Sequence, residues 1–152
     1  MSGTVWSCMR DESAESAARV MWDRNVGAVA VTDGEGKLVG IVTDRDICML
    51  AYFNGTALAT LPVAAAMSNW VFTVGPDETI PAAEQLMRSN QIRRLPVVEN
   101  GKAVGMLSLG DIARVEASGA LSGNPDPFAV VVSEIVKPRE HIGNLVPAAP
   151  RA

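Results

Sequence analysis

Gly40-Ile41-Val42-Thr43-Asp44-Arg45-Asp46-Ile47 and Gly105-Met106-Leu107-Ser108-Leu109-Gly110-Asp111-Ile112 spell one pattern twice: glycine, two apolar residues, a hydroxyl residue, two variable positions, aspartate, isoleucine. Reading outward from them, the likeness continues. Gly36-Lys37 falls on Gly101-Lys102, and one residue is lost in the turn before it. Val29-Ala30-Val31 then falls on Leu95-Pro96-Val97, Met21 on Met87, Ala17 on Ala83, and Asp11-Glu12-Ser13 on Asp77-Glu78-Thr79. Val5-Trp6-Ser7-Cys8 falls on Val71-Phe72-Thr73-Val74, at an offset of about 66 positions. Self-similarity at a fixed offset marks a structural unit used twice, and it constrains the fold more than any single motif.

Each copy reads alike. A short strand comes first, at residues 5–8 and 71–74. A helix follows, with Ser13 or Thr79 as its cap. Ala14, Ala17, Ala18 and Met21 recur at helical spacing, as do Ile80, Ala83, Leu86 and Met87. Pro81 sits in the first turn, where its missing N–H costs nothing. Two hairpins come next, 27–32 with 37–43 and 94–99 with 103–108. Their turns, Asp33-Gly34-Glu35-Gly36 and Asn100-Gly101, carry glycine where positive φ is needed. A second helix is expected to open at Asp46 and at Asp111.

The expected fold is therefore α/β in content (α+β in arrangement), βαββα twice. A copy of about 60 residues buries little core alone, so the two are expected to pack through their sheets about a pseudo-twofold. The expected division is residues 1–61 for the first copy, 62–118 for the second with a linker helix, and 119–152 for a turn-rich loop (122–127), a short helix (128–136) and a frayed tail. The stretch 59–67 links the copies.

Composition narrows the function classes. The chain has 152 residues, 48% hydrophobic and 20% charged, with a formal charge of −4. That is globular composition with no basic block, so nucleic acid is not an expected partner. Cys8 and Cys48 are the only cysteines, which offers no CxxC site and no disulfide framework and fits a reducing compartment. No signal-peptide pattern is read in residues 1–10, and the apolar stretch 57–67 is too short for a bilayer and broken by Pro62. A cytoplasmic protein without a membrane span is expected. His141 is the only histidine, so a Ser/His/Asp triad or histidine metal cluster has little to build on. Asp33, Asp44 and Asp46 miss the spacing of a calcium loop. Residues 34–40 miss that of a dinucleotide loop. No enzyme is expected: no nucleophile, base and orienting group are seen together.

The two eight-residue stretches resemble the G-h-h-[ST]-x-x-D-h signature of cystathionine-β-synthase (CBS) domains, and Ile92-Arg93-Arg94-Leu95-Pro96-Val97-Val98 resembles that family's second-strand pattern. The likeness runs from about Val5 to Ala117. It implies a disc-shaped pair of repeats with two clefts that bind adenine nucleotides such as AMP, ADP, ATP or S-adenosylmethionine. It also implies a homodimer regulating an effector protein, here supplied in trans, with no cofactor required. The resemblance makes Asp46 and Asp111 receivers of ribose hydroxyls, and Thr43 and Ser108 receivers of phosphate. It groups Thr43 and Asp46 with Phe72, Thr73, Ile92, Arg93 and Arg94 in a first cleft. Ser108 and Asp111 fall with Trp6, Ser7, Val26 and Gly27 in a second.

The chemistry of these residue types agrees. An ionised carboxylate only accepts, so it can take both O–H groups of a ribose diol. A helix N-terminus offers N–H groups to an anion. Adjacent strand residues face opposite ways, so at most one of Arg93 and Arg94 is expected to point at a given ligand. The matching pair in the first copy, Gly27-Ala28, is uncharged, so the cleft with the arginines is expected to take phosphorylated ligands. Plainer readings stand beside these. Asp46 and Asp111 can also be plain N-caps, Trp6 core or an adenine platform, and Cys48 a small core residue. The whole chain also reads as a dimerisation platform with vestigial clefts, held by the alanine-rich face of Ala14, Ala17 and Ala18.

Overall fold

The computed structural model describes residues 5–117, with side chains as far as Arg114. The loop, helix and tail expected after residue 118, His141 included, lie outside the described residues.

The first copy forms β1 (Ser7–Met9), α1 (Ala14–Asp23), β2 (Ala28–Thr32), β3 (Leu38–Thr43) and α2 (Asp44–Asn54). The second forms α3 (Ile80–Asn90), β4 (Arg94–Glu99), β5 (Lys102–Ser108) and α4 (Leu109–Ala117). In the first sheet β1 lies parallel to β2, and β2 is antiparallel to β3. β4 and β5 form the second hairpin. Ser13 and Thr79 cap α1 and α3 through the N–H groups of Ser16 and Ala82. The turns are built as their residues require: Gly36, Asn100 and Gly101 have φ of 77°, 51° and 79°.

Several expectations are corrected. Residues 71–74 make no strand, only a single parallel bridge from Val74 to Val97. The reason lies in two prolines. In the first copy the N–H groups of Ala30 and Arg10 extend the ladder to Trp6 and Thr32. Their counterparts are Pro96 and Pro76, which have no N–H to give. Only the central bonds survive, Val74 N–H to Pro96 O and Val98 N–H to Val74 O. The helical turns of the linker are of the 3-10 kind, Leu58–Thr60 and Val63–Ala65. It is stitched to the first copy: Val63 N–H donates to Glu12 O at 2.8 Å and Ala64 N–H to Arg10 O at 2.9 Å.

The core divides with the repeat. Ala14, Ala17, Met21, Val29, Val31, Val42, Ile47 and Leu50 cluster with Val63 of the linker. Val74, Ala83, Met87, Leu95, Val97, Leu107 and Ile112 form the second cluster. Ala14 and Ala17 are fully buried in their own repeat's core, and Ala18 packs against it. The alanine-rich face is therefore turned inward and is not offered to a second protomer. Cys48 is exposed rather than core. It lies on the side of α2 away from Ile47 and Leu50, the helix's buried residues. The buried cysteine is Cys8, whose thiol is pushed up to about 11 by burial and by the charge of Glu12. Across the seam, Leu38 N–H donates to Gly101 O at 3.0 Å. No helix among the described residues is long and apolar enough to cross a membrane.

Candidate functional site

The strand-to-helix junctions of the two copies are built identically. α2 starts at Asp44, with Thr43 as its N-cap and Asp46 at the third helical position. This corrects the expectation that Asp46 opens or caps the helix. The pattern T-x-x-D is a capping box, in which the hydroxyl residue caps and the acid reaches back. Asp46 Oδ2 accepts from Thr43 N at 2.9 Å and from Thr43 Oγ1 at 2.6 Å, while Asp46 N–H donates to Thr43 Oγ1 at 3.3 Å. In the second copy α4 likewise opens at Leu109, ahead of Asp111. Asp111 Oδ2 accepts from Ser108 N at 2.9 Å and Ser108 Oγ at 2.6 Å, and Asp111 N–H donates to Ser108 Oγ at 3.1 Å.

A carboxylate cannot donate, so the single hydroxyl proton of Thr43 and of Ser108 is committed to its aspartate. In this arrangement each hydroxyl orients a carboxylate. Reaching a phosphate would require it to rotate away.

The second oxygens differ. Asp111 is buried, and its Oδ1 accepts from Arg114, one turn on. Burial acts to raise the Asp111 carboxyl, but the bonds from Ser108 and Arg114 outweigh it and hold it below the usual carboxylate range. Asp46 is half-buried, and no described residue donates to its Oδ1. The counterpart of Arg114 is Met49, which has no donor.

The backbone around each junction also repeats. Asp44 N–H donates to Gly27 O at 3.4 Å, and Leu109 N–H to Arg93 O at 2.9 Å. Val26 N–H donates to Met21 O and Ile92 N–H to Met87 O, both at 3.0 Å. These bonds stay within each copy. Gly27, placed in the second cleft, adjoins Thr43 and Asp46. Arg93, placed in the first, has its backbone on the helix of Ser108 and Asp111. The cause is local: the residue before the hairpin closes onto the helix that follows the same hairpin. Arg94 does cross over, and its guanidinium lies against Gly27 of the first copy, a position that the Asp44 carboxylate also faces.

Of the remaining residues, Ile92 packs against the second core. Trp6 packs against the first, with the Arg24 guanidinium 4.0 Å from its ring centroid. Ser7 is exposed and pairs with Ala30 in β1. Phe72 and Thr73 are exposed on the strand of chain between the copies. That chain runs beside β3 through an Ile41–Ser68 bridge, two residues before Thr43, and reaches β4 at Val74. Sequence reading missed Asp44, Arg114 and Arg24. Arg114 was within reach of it, since a helical Asp–Arg pair at i,i+3 meets on one face.

Known proteins share this architecture. A family model described as CBS domain matches residues 1–51 and again 63–118. The CBS domain-containing protein YhcV of Bacillus subtilis is 36% identical over 124 residues, which cover 82% of this chain and 87% of that protein. Among solved structures, a CBS domain, NE2398, aligns with a TM-score of 0.70 at 31% identity, covering 76% of this chain and 90% of that one. The CBS domain pair of protein MJ0100, solved in complex with 5-methylthioadenosine and S-adenosyl-L-methionine, aligns with a TM-score of 0.71 at 26% identity, covering 78% of this chain and 93% of that one.

Proposed function

Because the chain belongs to the CBS domain family and carries the domain twice, we propose that it is a regulatory sensor of an adenosyl ligand, an adenine nucleotide or S-adenosylmethionine. The observation that carries this is the pair of capping boxes. Each uses one carboxylate oxygen to lock its own helix and leaves the other for a further partner, which at Asp111 is Arg114. At Asp46 that second oxygen receives nothing from the described residues, and it suits a ribose hydroxyl. Two further observations support the reading. Arg94 brings a cation to the first turn of α2, and a structural relative holds adenosyl ligands. The first cleft is the stronger candidate, since the second aspartate is already engaged by Arg114.

Signalling proceeds to an effector protein in trans, from a homodimer. Exposed aromatic residues support protein contacts: Trp22 on α1 and the edge-on pair Tyr52 and Phe53 on α2. A ligand moves such a device only through its different affinities for two arrangements of the repeats or protomers.

Isothermal titration with AMP, ADP, ATP, S-adenosylmethionine and 5-methylthioadenosine tests the proposal. Saturable binding of at least one, at one strong site per chain, is the expected result. No heat from any of them at millimolar concentration would leave the dimerisation platform as the better account.

A further inference from the structure

The seam between the copies holds one feature that the repeat does not duplicate. A methyl group built on Gly27 would stand 2.5 Å from Nη2 of Arg94, 3.3 Å from its Cζ and 3.2 Å from Oδ2 of Asp44. Three residues from two repeats thus converge on one point at the start of α2: a bare backbone, a guanidinium and a carboxylate. Their repeat counterparts are Arg93, Ala28 and Leu109, so nothing equivalent exists on the other side. Among the described residues no hydrogen bond or ion pair holds the Arg94 guanidinium. Asp44 is turned partly away, its Oδ1 accepting from Arg45 N–H at 2.8 Å. The guanidinium therefore lies close to a carboxylate without being bonded to it.

We propose that Gly27 and Asp44 are specificity-determining residues of the first cleft, setting by position and by charge how strongly Arg94 favours an anionic ligand over a neutral one. This rests on the reading of that cleft as an adenosyl site. Gly27 leaves the room in which the guanidinium sits, and any side chain there displaces it. Asp44 partly neutralises Arg94 and repels an arriving phosphate, so the cleft accepts anions less readily than an isolated arginine would allow. Opposite charges a few ångströms apart at a protein surface alter each other's interactions by about tenfold in binding.

Adenosine and AMP differ by the phosphate alone, so the ratio of their affinities reads the effect. Titrations compare wild type, Asp44→Asn, Gly27→Ala and Arg94→Ala. Gly27→Ala is a mild change for the fold, because the obstructing atoms are the far end of a flexible side chain and Gly27 has no positive φ. Asp44→Asn is expected to raise the preference for AMP by about tenfold. Gly27→Ala and Arg94→Ala are expected to lower it by a similar factor. A ratio unchanged in Asp44→Asn or in Gly27→Ala, while wild type binds both ligands, overturns this inference and leaves the sensor reading intact. No binding of either ligand by wild type overturns both. A ligand-free check on the geometry is a double-mutant cycle of urea midpoints for Asp44→Asn and Arg94→Ala. Non-additivity is expected, and strict additivity contradicts the contact across the seam.

Discussion

Asp46 and Asp111 fold their helices and aim a carboxylate with the same side chain, so stability and binding must be read separately. Removing the cap alone, as in Thr43→Ala, is expected to lower stability by about 1 kcal/mol in urea unfolding. It should also loosen the Asp46 carboxylate, so ligand shifts belong on each variant's own ligand-free baseline. Asp111 adds a pH dependence. Its folded carboxyl titrates below the unfolded value of about 3.9. The stability it contributes is therefore present above that value and lost as pH falls through the folded one. Urea midpoints from pH 6 down to pH 2 should fall less steeply in Asp111→Asn than in wild type. The cysteines give a third residue-level outcome. Cys8 is buried, with its thiol raised to about 11, whereas Cys48 is exposed. A native-state thiol reagent should modify Cys48 quickly and Cys8 only after unfolding. Equal rates at both would contradict the placement of β1. The signature residues were legible because hydroxyl and acid recur at fixed spacing. The mutual position of Gly27, Asp44 and Arg94 was not, because it depends on how two distant segments meet.

Among the elements, the hairpins were the most legible, because their turns are specified by adjacent residues. Asn100 and Gly101 both hold positive φ. Gly101→Ala is thus expected to destabilise by about 1–2 kcal/mol, and Gly34→Ala, in open space without positive φ, much less. The missing strand at 71–74 was present in the sequence as Pro76 and Pro96. Its consequence appears only once the partners of those two positions are known, since a ladder bond needs a donor on one strand and an acceptor on another. Helix starts were misplaced by two residues because an acid in the first turn resembles a cap. The fully buried Ala14 and Ala17 show that small residues on a helix mark close packing without naming the neighbour. Ala17→Leu should overfill the first core and cost about 1–3 kcal/mol in thermal or urea unfolding. An unperturbed variant would mean the face is open after all.

At the scale of the molecule, two small cores joined by a shared seam suit a device in which a ligand at the junction changes how the halves sit. The linker packs on the first core, which ties the spacing of the copies to that repeat. The family and the repeat architecture were legible before any coordinate, but the pairing of residues across the seam was not. If the Thr43–Asp46 junction receives an adenosyl ligand, thermal unfolding of wild type, Asp46→Ala and Asp111→Ala in AMP, ATP or S-adenosylmethionine reads it. A ligand at a hundred times its Kd adds about 2.7 kcal/mol to the native state, a rise in Tm of about 10 °C for a domain of this size. That rise is expected in wild type and in Asp111→Ala, and its loss in Asp46→Ala. A rise kept in Asp46→Ala, or absent from wild type with every ligand, would contradict it.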